Sequence, residues 1–205
     1  MCRIVGQLLV LLSVLVATGC SEDSQAPPSF SADDAERIAS VRPTTPNWTW
    51  PKHPVSPSSC TGEGLGVDDG RDPLFTELIR RFADTDYSCG TGIKWRDDDK
   101  LGSLSVMRFA TAAGAHKGMA AFRTFAHGWG ENGGEVIADE EIEGLGDEAT
   151  RLRASGYGVQ VTYLWRRTNL FLQVHVHCFG TCPTNVDART RPWVDAVDEE
   201  AGNSG

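Results

Sequence analysis

The chain has 205 residues, 40% of them hydrophobic, and a formal net charge of -9. That length suits one domain with an appendage. An acidic surface repels phosphate backbones and anionic lipid, so nucleic acid is not an expected partner.

Residues 8–20 read LLVLLSVLVATGC, an apolar run that follows Arg3 and ends on small residues. The run is shorter than the roughly 20 residues that a spanning helix needs. A charged start, a short apolar core and small residues before a cut mark an export signal. Ala17-Thr18-Gly19-Cys20 resembles the lipobox of bacterial lipoproteins, with Ala17 where the family usually carries leucine. The resemblance implies that residues 1–19 are a signal peptide. It also implies that Cys20 receives a diacylglyceryl group and becomes the mature N-terminus. Loss of Arg3 with the leader takes the net charge to about -10. No second apolar run reaches spanning length, so the expected contact with the membrane is this lipid, on the extracytoplasmic face.

Cys60, Cys89, Cys178 and Cys182 remain, an even number outside the cytoplasm, which reads as two disulfides. Three pairings are possible, and the sequence does not choose among them. We expect Cys60–Cys89, pinning the start of the domain to its first strand, and Cys178–Cys182, closing a short loop.

Residues 20–57 read as a tether after the lipidated cysteine, because seven of the ten prolines fall between Pro27 and Pro57. Proline removes amide donors and favours extended chain. A brief helix over 33–41 is compatible with the sequence. Trp48 and Trp50 stand out there and are expected to pack on the edge of the domain.

The pattern turns globular over 58–199. Asp72-Pro73 starts a helix whose apolar positions are Leu74, Phe75, Leu78, Ile79 and Phe82. Residues 87–96 and 101–110 read as strands around a turn, and 113–129 as a helix weakened by Gly114 and Gly118. Each glycine costs about 1 kcal/mol relative to alanine. Strands are expected over 135–142 and 149–154. The clearest signal is the hairpin 158–178. Val159, Val161, Tyr163 and Trp165 alternate with Gln160, Thr162, Leu164 and Arg166, and the second strand alternates in the same way. A final short helix carries Trp193, Val194 and Val197. Acidic residues from 198 onward are expected to fray, with 200–205 as a disordered tail.

This order predicts an α+β domain, an antiparallel sheet with helices packed on one face. A Mog1/PsbP-like fold is the alternative. The lipobox and tether, the helix ending in Trp129, GLGDEA at 144–149 and the RRTN turn at 166–169 together resemble small exported actinobacterial lipoproteins. That group is similar to the extracellular sensor domain of PknH-type kinases. The resemblance implies two disulfides and a ligand cleft, and carries over no catalytic residue.

His175 and His177 lie two apart on one strand and share a face of the sheet. Such a pair can ligate zinc or copper if a third ligand arrives, with His116, His127 and Asp147 as candidates. Cys178 and Cys182 enclose three residues, not the two of thioredoxin-like motifs, and read as a staple. The acidic clusters at 68–72, 97–99 and 139–141 do not match a calcium loop. A Gly-x-Ser-x-Gly elbow and a phosphate-binding loop are both absent from the sequence.

The reading is therefore a non-catalytic ligand-binding, sensing or interaction module without a cofactor. Trp129, His175 and His177 are its candidate ligand residues, and its expected partner is a small molecule or another envelope protein. A metal-binding or redox enzyme using His175/His177 or Cys178/Cys182 is the competing class.

Overall fold

The computed structural model describes residues 29–42, 78, 80–82, 84–97, 99–128, 134–156 and 158–204. Cys20, Trp48, Trp50, Cys60 and Trp129 lie outside the described residues. The helices are α1 (Ala32–Ala39), α2 (Ala112–Gly128) and α3 (Val186–Gly202), and residues 80–82 are also helical. The strands are β1 (Tyr87–Asp97), β2 (Lys100–Phe109), β3 (Gly134–Glu141), β4 (Glu148–Gly156), β5 (Gly158–Arg167) and β6 (Leu170–Cys178). They form one six-stranded sheet in the order β1-β2-β6-β5-β4-β3, antiparallel at every junction.

The α+β class and the antiparallel sheet are as expected. One face carries α1 and α3 together. There Trp95, Leu104, Tyr163, Trp165 and Val174 pack with Ile38, Trp193 and Val197. Trp95 and Trp193 meet edge to face with centroids 4.9 Å apart. The structure refines the one-face expectation, because α2 lies against the opposite face. Met119 and Phe122 of α2 pack there on Met107, Phe109, Leu164 and Phe171, joined by Leu78 and Phe82. Side chains alternate along a strand, so β2, β5 and β6 each serve both cores. Each fully buried large apolar side chain contributes about 1.5–3 kcal/mol.

Gly114 and Gly118 let α2 come close to the sheet. A Cβ on Gly118 would stand 2.3 Å from Phe109 Cζ, and one on Gly114 would stand 2.3 Å from the Thr85 carbonyl oxygen. The low helix propensity that the glycines bring is therefore the cost of a close helix–sheet approach.

Two boundaries differ from expectation. The segment read as tether contains α1, which belongs to the domain: Phe30, Ala35, Ile38 and Ala39 are buried. Ser31 and Asp34 cap its start reciprocally, with Asp34 N donating to Ser31 Oγ at 3.2 Å and Ser31 N to Asp34 Oδ2 at 2.9 Å. Buried Asn169 then holds the segment in place. Its Oδ1 accepts from Phe30 N at 2.8 Å, and its Nδ2 donates to the Phe109 carbonyl at 2.9 Å.

The second boundary is at the C-terminus. The last helix is 17 residues long and runs through the stretch expected to fray, with Ala201 buried. Asp198 anchors it by accepting from Arg167 Nε at 2.6 Å and Nη2 at 2.8 Å. Arg37 Nε reaches Glu200 at 2.9 Å and joins α1 to α3.

Cys178 and Cys182 form a disulfide. Cys89 is disulfide-bonded as well.

Candidate functional site

The sheet face beneath α2 changes character along its strands. On β6, Phe171 points into the apolar core, and Gln173, His175 and His177 follow on the same face. On β5, Leu164 is core while Thr162 and Gln160 are polar. These residues align across strands. Lys94 on β1 pairs with Ser103 on β2, Ser103 with His175, His175 with Thr162, and Thr162 with Leu152 on β4. A second row runs Leu101, His177, Gln160, Ala154 and Val136.

Where the rows emerge from under α2 they floor a cleft of about 390 Å³, walled by Phe122 and Ala126 of the helix. That volume lies within the usual range for small-molecule sites, and a mostly apolar lining with a few convergent polar groups is their usual character. Among the described residues that line it, none is a carboxylate.

His175 is buried at the cleft floor, with Nδ1 2.8 Å from Thr162 Oγ1. Burial, reinforced by the positive charges of His177 and Lys94, pushes its imidazole pKa down to about 4. His175 is therefore neutral at pH 7. Its ring centroid lies 6.3 Å from that of His177, which in turn lies 3.9 Å from the half-exposed Phe179 ring.

The expected third metal ligands are committed elsewhere. His116 Nδ1 lies 2.6 Å from Glu148, His127 Nε2 lies 2.8 Å from Asp139, and Asp147 accepts from Arg166 at 3.0 Å. Among the described residues no group of three or more His, Cys, Asp or Glu side chains is placed to hold a metal ion. The acidic cluster at 139–141 likewise serves structure. Asp139 accepts from Arg123 Nε at 2.7 Å and from Thr150 Oγ1 at 2.7 Å. Burial raises its pKa, but the bonds from Arg123, His127 and Thr150 outweigh this and hold the carboxyl below its ordinary value.

Of the candidate ligand residues, the structure brings His175 and His177 into one cleft. Sequence reasoning missed Lys94, Phe122, Gln160, Thr162 and Gln173 as its other walls. The polar positions of the alternating hairpin were the available signal for three of them. Lys94 had none, since it reaches the site only through pairing of β1 with β2.

No protein-family model matches this chain, and no curated protein does. Among solved structures it is similar to the extracellular domain of PknH from Mycobacterium tuberculosis. The match has 11% identity and a TM-score of 0.48, covering 85% of this chain and 93% of that one.

Proposed function

We propose that this chain is an exported, lipid-anchored module that binds a small molecule in the cleft between α2 and the sheet, without catalysis. The observation that carries the reading is the cleft. A polar band of paired side chains crosses a sheet face that is otherwise apolar core, beneath a helix wall that leaves it accessible.

Anchoring through Cys20 rests on the leader, its small-residue end and the following cysteine. One further feature supports an extracytoplasmic location: Cys178–Cys182 and the bonded Cys89 suit an oxidising compartment. A protein partner at the envelope would reach the same module from outside, with the ligand as its signal.

The test is mass spectrometry of the protein extracted from its native membrane, alkylated before and after reduction. The expected species carries a diacylglyceryl adduct on Cys20, takes up alkyl groups only after reduction, and releases a small molecule on denaturation. A protein with an unmodified Cys20, or with thiols at Cys178 and Cys182 that alkylate before reduction, would overturn the anchored, stapled part of the reading.

A further inference from the structure

We infer that the cleft takes an amphipathic organic anion, with its acidic head at the Lys94/His177 end and its apolar body against Phe122, Leu152 and Val136. The inference deepens the binding reading above and rests on it.

Charge distribution points this way first. The chain carries 28 Asp and Glu against 19 Lys and Arg. Yet the described residues that line this cleft include one lysine and two histidines and no acid. Carboxylates elsewhere on the fold are matched to cations: Asp139 to Arg123, Asp198 to Arg167, and Asp34 to Arg37. Lys94 is exposed and makes no ion pair with a described residue. The net charge of the whole protein is screened beyond about 8–10 Å at physiological salt, so a ligand inside the cleft responds to the groups that touch it.

Polarity along the cleft points the same way. The row Lys94, Ser103, His175, Thr162, Leu152 spans four strand spacings, roughly 19 Å at about 4.8 Å each. It begins on a cation, passes through hydroxyls and an imidazole, and ends on an aliphatic side chain. The neighbouring row ends in Ala154 and Val136. A molecule lying along this gradient meets hydrogen-bond partners at one end and apolar surface at the other. A carboxylate joined to a ring or short chain covers part of that row with the same gradient, whereas a sugar lacks the apolar end and a cationic amine would bring like charge to Lys94.

The experiment uses the purified full chain and three probes that share one apolar body: 4-phenylbutyrate, 4-phenylbutanol and 4-phenylbutylamine. Affinity is read by calorimetry and position by the imidazole resonances of His175 and His177. The expected result is that the carboxylate binds about tenfold more tightly than the alcohol and the amine most weakly, as one charge-assisted bond supplies. Lys94→Gln should bring the carboxylate to the level of the alcohol, and Lys94→Arg should keep the preference. Equal binding of carboxylate and alcohol, or preference for the amine, overturns the anionic class and leaves cleft binding intact. If none of the three binds while unrelated fragments shift His175 and His177, the inference falls alone. If no fragment shifts them, the binding reading falls with it.

Discussion

Gly118 offers a test in which helix propensity and packing predict opposite signs. Alanine in a helix interior is favoured over glycine by about 1 kcal/mol, so propensity alone predicts that Gly118→Ala stabilises. The added methyl, however, would sit 2.3 Å from Phe109 Cζ and 2.7 Å from Cε1. Phe109 cannot swing away easily: it is fully buried, with the Phe82 and Tyr87 rings 5.8 and 5.6 Å from it. Overpacking of this kind costs typically 1–3 kcal/mol, and an overlap this severe belongs at the upper end. The net expectation is a loss of about 2 kcal/mol, which for a domain of this size lowers Tm by about 4–8 °C. Gly128, on the same helix, has nothing within 4 Å of the position a methyl would take, so Gly128→Ala should be neutral or slightly stabilising. Thermal melts of the two variants provide the comparison, and Phe109→Leu with Gly118→Ala/Phe109→Leu completes a double-mutant cycle. Making room should recover part of the loss as a non-additive coupling. If Gly118→Ala melts at or above the parent, the close approach of α2 to β2 is wrong.

Asn169→Ala should cost about 2–4 kcal/mol in urea titration, because it strands the buried Phe30 amide and the Phe109 carbonyl together. Thr168 holds a φ of 47°, which β-branched residues adopt reluctantly, so Thr168→Asn should raise Tm by about 1–3 °C. His175 sets a pH dependence. Below its ordinary pKa of 6.5 the unfolded chain binds a proton that the folded imidazole refuses until about pH 4. Stability should therefore fall as pH drops from about 6.5 to about 4, and His175→Gln should flatten that slope in denaturant titrations at several pH values.

Much of the sheet was legible because alternation of apolar and polar residues maps directly onto two faces. The hairpin of β5 and β6 and the shared face of His175 and His177 follow from it. The second core was written in the same stretch but less visibly. Leu164 and Phe171 occupy positions otherwise taken by Thr162, Gln160, Gln173 and the histidines, so a helix on the reverse face was signalled by only two residues. α3 was foreshortened because Pro192 sits inside it, where its missing amide reads as a stop. A brief helix was legible at α1, but the prolines around it hid that it belongs to the domain. Its place in the fold depends on Asn169, 139 residues from Phe30, and local pattern does not reveal such a contact.

Binding of small molecules in the cleft is open to a decisive fragment screen by NMR, run on the wild type and on Ala154→Phe, which fills the cleft from β4. In the wild type, fragments that shift any residue should concentrate on Gln173, His175, His177 and Phe122, and the filled variant should lose those shifts. Hits scattered over other surfaces, or cleft shifts that persist in a folded Ala154→Phe, would refute binding there.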